Sequence, residues 1–138
     1  MPNRIYAVID TNVLVSALLS STPNNNPLLV LANVYLGRIV PVFNCEILAE
    51  YREVLSREKF HLDQETIDEA LHTILLYGLN MERVEVPGEF FPDPKDIVFY
   101  EVKMSKEGAY LVTGNIKHFP SNPLVVTPKE MVEILSRD

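Results

Sequence analysis

Ile5-Tyr6-Ala7-Val8-Ile9-Asp10-Thr11-Asn12-Val13-Leu14-Val15-Ser16-Ala17-Leu18-Leu19 is the stretch that decides the fold of this chain. Ile5–Ile9 is short, apolar and rich in β-branched residues, the composition of a strand buried on both faces. Asp10-Thr11-Asn12 interrupts it with small polar side chains, which mark a strand-to-helix turn. Val13–Leu19 then resumes as an apolar helix. Asp10 is therefore expected at the carboxyl end of an early, central strand. In open α/β sheets that edge binds ligands. A buried carboxylate without a partner is costly, so a bound cation is one reading of Asp10. Capping of the following helix is the other.

Working outward, 138 residues fit a single domain spanning 1–138. Apolar residues make up 47% and charged ones 22%, an ordinary globular balance. No apolar run reaches the roughly 20 residues that span a bilayer, and Met1–Arg4 carries no signal-peptide pattern, so no membrane role is expected. The lone Cys45 excludes an internal disulfide and fits a reducing cytoplasm. It reads as a small buried residue at a helix start rather than a nucleophile. The net charge of −7 argues against a non-specific nucleic-acid coat, which needs many Lys and Arg contacts to phosphate. It does not exclude a nucleic-acid enzyme, because metal ions held by carboxylates supply positive charge where the reaction occurs.

Strand and helix signals alternate along the rest of the chain. Asn26 with Pro27 starts a helix that ends at Gly37. Val40–Phe43 reads as a strand, and Asn44 caps a helix from Cys45 to about Ser56. Asp63 caps another from Gln64 to Tyr77, stopped by Gly78. Met81–Val86 alternates loosely as a strand, and Pro87–Pro94 is a non-helical connector. A helix follows from Asp96 to about Lys106. Tyr110–Val112 and Leu124–Val126 complete the strands. Thr127-Pro128-Lys129-Glu130 is a capping box that opens the last helix. This alternation predicts an α/β fold with a mainly parallel sheet and helices on both faces.

Three further segments place polar groups comparably to Asp10. Glu46, Glu50 and Glu53 form a stripe on the helix after Cys45. Glu46 and Glu53 read as solvated, the latter pairing with Arg57, while Glu50 borders the apolar stripe and can point inward. Asp93 and Asp96 bracket a helix start, where capping and the dipole alone favour Asp. Asp96 is the stronger functional candidate because the apolar run Ile97, Val98 and Phe99 follows it directly. Thr113-Gly114-Asn115 ends a buried strand, as Asp10-Thr11-Asn12 does, so the two turns share one sheet edge. Lys117 and His118 are candidates to meet a phosphate. His61 and His72 lack metal-ligand spacing.

Together these segments resemble the PIN-domain family, and within it the VapC-like ribonucleases that act as toxins of bacterial and archaeal toxin–antitoxin systems. The resemblance rests on Val8–Leu14, on Glu50–Arg57 with Lys59-Phe60, on Asp93-Pro94-Lys95-Asp96 with Phe99, and on Tyr110–Asn115 with Lys117-His118-Phe119. It implies a three-layer α/β/α sandwich and cleavage of RNA with Mg²⁺ or Mn²⁺. Carried over by position, the catalytic and metal-binding acids are Asp10, Glu50 and Asp96, supported by Thr11, Asn12, Asp93, Thr113 and Asn115. The family usually has a fourth acid where this chain has Asn115, and often another where it has Lys95. A neutral amide holds a hard cation less strongly than a carboxylate. A small antitoxin partner and a homodimer are also implied, with Phe90 and Phe91 either plugging the core edge or standing exposed as anchors.

Two other readings stay open. A catalytically weak or inactive PIN-like module would bind a protein partner or RNA. An aspartate-nucleophile phosphatase would attack through Asp10, but it calls for a second Asp where this chain has Asn12.

Overall fold

A computed structural model describes residues 4–137. Five strands form one parallel sheet: β1 (Ile5–Ile9), β2 (Ile39–Phe43), β3 (Leu79–Asn80), β4 (Tyr110–Val112) and β5 (Val125–Val126). The helices are α1 (Thr11–Leu19), α2 (Asn26–Tyr35), α3 (Cys45–Leu55), α4 (Gln64–Tyr77), α5 (Ile97–Ser105) and α6 (Pro128–Ser136). The strand order is β3-β2-β1-β4-β5. The chain moves from β1 outward through β2 to β3, then returns to the other side of β1 for β4 and β5. The sheet thus reverses direction between β1 and β4, which is where open α/β sheets leave a crevice for a ligand.

The core follows from the strand sequences. All five residues of β2 are buried, and β1 is buried except for the half-exposed Tyr6. That is the pattern of strands covered on both faces. α5 packs against β1, β2 and β4, while α2 packs against α1 and α6. The expected three-layer α/β/α arrangement with a parallel sheet is observed. Among the described residues no helix is long and apolar enough to cross a membrane.

Several helix starts are read correctly from single residues. Asn44 accepts a hydrogen bond from the amide of Ile47, Asp63 from that of Thr66, and Thr127 from that of Glu130, whose side chain completes the capping box. The cap of α2 is Asn25, not Asn26: its Oδ1 accepts from the amide of Leu28 at 2.9 Å. Gly37 follows α2 with φ at +79°, a conformation that suits glycine. Gly78 is needed for space instead: a Cβ there would collide with the carbonyl oxygens of Ile74 and Pro41.

Two further expectations are corrected, and one open alternative is resolved. The third strand is Leu79–Asn80, not Met81–Val86. Beyond Met81, whose amide still donates to Phe43, the amide of Val84 donates to the carbonyl of Glu101 and that of Val86 to its carboxylate. Those bonds draw the segment off the sheet. Cys45 does begin α3, but it is exposed. The two connector phenylalanines divide: Phe90 is 80% exposed, whereas Phe91 packs edge-on against Tyr100 and Phe119.

Candidate active site

The parallel register places the polar turns on one edge. Ile9 pairs with Val112, so Asp10 and Thr113 leave adjacent strand ends together. The Asp10 amide donates to the Val112 carbonyl at 2.9 Å, and the Thr113 amide to that of Val126 at 2.9 Å. Thr113 is fully buried, and its hydroxyl donates to Asp10 Oδ2 at 2.7 Å. The same hydroxyl oxygen accepts from the Asn115 amide at 3.1 Å. This chain of bonds fixes the carboxylate and the Thr113-Gly114-Asn115 turn relative to each other.

α3 brings Glu50 to the same place. The buried Thr11 hydroxyl donates to Glu50 Oε2. The next residue, Tyr51, donates its hydroxyl to the Ile9 carbonyl at 2.6 Å and so pins α3 to the end of β1. Burial, with the charges of Asp10 and Glu50 close by, pushes the Tyr51 phenol far up, and it stays a neutral donor. Tyr51 reads from sequence as part of an apolar stripe. Its polar tip next to Glu50 was the available signal that it does more.

Asp96 enters from the head of α5, through a 3-10 turn at Pro94–Asp96 whose first amides are held by Asp93. The Asp96 side chain is 16% exposed, and its Oδ2 is buried without a hydrogen-bond partner. His118 Nδ1 lies 3.4 Å from that oxygen, within ion-pair reach but outside hydrogen-bond geometry. Burial, followed by the charges of Asp10 and Asp93, lifts the Asp96 carboxyl to about 6, with His118 opposing and Glu50 adding to the rise. Burial also raises Asp10, against the lowering effects of the Thr113 hydroxyl, the Thr11 backbone and His118. Asp10, Glu50, Asp96 and His118 therefore share one electrostatic neighbourhood.

Capping does not account for the two aspartates. Four helices, α2, α3, α4 and α6, have an N-cap side chain bonded to the first turn. The two helices without such a bond are α1 and α5, headed by Asp10 and Asp96. Their carboxylates are turned to the cluster instead.

The remaining candidates lie further out. Asn12, Lys95, Asn115 and Lys117 are exposed. Asp93 is exposed and bonded to the Lys95 amide. A cleft of about 990 Å³ between α3 and α4 is lined by none of the three acids.

Among the described residues no group of three or more His, Cys, Asp or Glu side chains is arranged to hold a metal ion. Mg²⁺ commonly takes only one or two protein carboxylates and completes its octahedron with water and substrate phosphate. Asp10 and Asp96 supply that number of hard oxygen ligands, and the orphaned Asp96 Oδ2 lacks the partner that such an ion provides. Glu50, already engaged by Thr11, stands beside them. The residues fit a divalent ion on two carboxylates, not a closed cage of three.

No curated protein and no solved structure matches the chain. The family model for the PIN domain matches residues 6–117, from β1 through the Thr113-Gly114-Asn115 turn, and the chain belongs to the PIN-domain family.

Proposed function

We propose that this chain is a ribonuclease that hydrolyses RNA phosphodiester bonds with Mg²⁺ or Mn²⁺ on Asp10 and Asp96, with Glu50 completing the site or orienting the attacking water. Family membership implies nuclease-type chemistry, and PIN domains generally use divalent metal ions. The observation that carries the reading for this chain is the buried Asp96 Oδ2, unbonded and facing other acids at the topological switch point. When bound there, a divalent ion would supply charge to the scissile phosphate and acidify an attacking water. The Thr113 hydroxyl holds Asp10 in one orientation, and Thr11 does the same for Glu50. His118, 3.4 Å from Asp96 Oδ2, and exposed Lys117 stand where a phosphate arriving at the edge would meet them. No covalent intermediate is required.

The finer role follows the same reading: the toxin of a toxin–antitoxin pair, held by a small antitoxin protein, working as a homodimer in the cytoplasm. The direct test is cleavage of single-stranded RNA with Mg²⁺ or Mn²⁺ by the parent and by Asp96→Asn. A loss of about 10³-fold is expected, equivalent to roughly 4 kcal/mol of barrier. Equal cleavage by both, or activity that survives excess chelator, rejects the assignment.

A weak or inactive module that binds RNA or a protein partner is the second reading, favoured by the neutral, exposed Asn115. Melting temperature against Mn²⁺ concentration separates the two, because a ligand bound only by the folded state raises stability by mass action. No shift at millimolar Mn²⁺ favours the module. The aspartate-nucleophile phosphatase gains no support, since Asn12 is exposed and carries no second carboxylate.

A further inference from the structure

His118 reaches the acid cluster on a rigid backbone. It ends a 3-10 turn, Ile116–His118, that follows directly on Thr113-Gly114-Asn115. Its amide donates to the Asn115 carbonyl at 3.1 Å. The Asn115 amide is in turn held by the Thr113 hydroxyl that also holds Asp10. The next residue, Phe119, is buried edge-on against Phe91. The side chain of His118 is not fixed in this way. It is 44% exposed and makes no hydrogen bond among the described residues. An imidazole is thus delivered to Asp96 and left free at its tip.

The geometry at that tip has a chemical reading. Nδ1 stands 3.4 Å from Asp96 Oδ2, outside hydrogen-bond geometry. The oxygen is buried and has no hydrogen bond at all, although the free ring beside it carries a possible donor. A simple His–Asp pair closes that bond, and this one does not. Two ligands at right angles on one ion, each about 2.1 Å from it, stand about 3 Å apart. The gap between Nδ1 and Oδ2 is close to that spacing, and the free ring can take up the difference. The His118 charge lowers Asp10 and Asp96 alike, so the ring borders both carboxylates. As they stand, the three side chains do not surround a common point. Movement of the ring completes the set. Imidazole brings a nitrogen to a site of carboxylate oxygens. Mg²⁺ prefers oxygen and water, whereas first-row transition ions bind nitrogen well.

We infer that His118 Nδ1 is a ligand of the divalent ion on Asp10 and Asp96, and that it tilts the site from Mg²⁺ toward a first-row transition ion such as Mn²⁺. The inference rests on the metal-dependent reading for the presence of an ion, but its test does not require cleavage. Mn²⁺ is added to the metal-free chain and its nitrogen couplings are read by pulsed EPR. A directly bound imidazole nitrogen is expected, with the ¹⁴N pattern replaced by that of ¹⁵N when histidine alone is labelled. His118→Gln should lose the coupling and bind Mn²⁺ about tenfold more weakly, with Mg²⁺ affinity changed by less than about twofold. Its melting temperature in chelator should match the parent's. The coupling should survive His61→Gln with His72→Gln and vanish with Asp96→Asn. Mn²⁺ bound without nitrogen coupling, coupling that persists in Asp96→Asn, or an equal loss of both ions in His118→Gln overturns the inference alone. No Mn²⁺ uptake by the parent at millimolar concentration overturns it together with the metal-dependent reading. Nitrogen coupling in a chain that cuts no RNA keeps His118 as a ligand and loses the ribonuclease reading.

Discussion

Glu101 and Asp96 are both acids at the buried face of one helix region, and the fold treats them oppositely. Glu101 is 8% exposed, yet its carboxylate accepts from Arg83 Nε at 2.6 Å and from the Val86 amide at 3.2 Å. Asp96, only five residues earlier, keeps a buried oxygen with no hydrogen bond and has its carboxyl raised to about 6. A structural acid is satisfied by the same contacts that fold the chain. An acid reserved for a ligand stays unsatisfied until the ligand arrives, and its raised affinity for a proton is the visible sign of that.

Removing the partner of Glu101 breaks this contrast most severely. Arg83→Ala leaves a buried charge unpaired and frees the 81–86 segment, so a loss of about 2–3 kcal/mol in urea unfolding at pH 7 is expected, discounted for the partly exposed guanidinium. A loss below about 0.5 kcal/mol would show that Glu101 is not held by this pair. Glu101→Gln should be milder, since the amide still accepts from Arg83.

Adding charge at the other region sharpens the comparison. Asn115→Asp restores an acid at the turn bonded to Thr113. It should lower the Mn²⁺ concentration that gives half of the thermal stabilisation by about tenfold. The same variant should be less stable than the parent in chelator, because it adds one more carboxylate to a cluster without its cation. Unchanged Mn²⁺ dependence would place Asn115 outside the ion's reach.

The smallest effect is on the metal-free protein. Asp96 binds its proton near pH 6 in the fold and near 3.8 ordinarily. The folded state therefore holds more protons than the unfolded chain between those values, and stability falls as pH rises through that window. Above about pH 6 the penalty is complete. Asp96→Asn should then stabilise the chelated protein at pH 7 by on the order of 1 kcal/mol and flatten its profile between pH 4 and 6. Parallel profiles for parent and variant would mean that Asp96 is not strained in the fold.

Much of the architecture is legible in single residues because it is locally determined. Asn44, Asp63 and Thr127 start helices through bonds to amides three residues away, and Gly37 ends one through its own φ. The strand expected at Met81–Val86 fails for the opposite reason. Its loose alternation suits a strand, but Glu101, fifteen and more residues on, takes the amides of Val84 and Val86. Glu101 itself had a signal, a charge amid Val98, Phe99, Tyr100 and Val102 that demands a partner. Nothing local identifies that partner as Arg83.

By itself, the sequence determined the alternation of buried strands and capped helices, and with it the sheet edge on which Asp10 and Thr113 stand. Period and composition suffice for that, because the interactions involved span a few residues. Only the tertiary structure decided which polar groups are spent. Thr113 holds Asp10 across 103 positions and Thr11 holds Glu50 across 39, whereas Asp96 Oδ2 is left without a hydrogen bond. Whether a carboxylate caps, pairs or waits depends on which groups the fold brings within about 3 Å of it. That is set by packing between distant segments, not by the residues on either side.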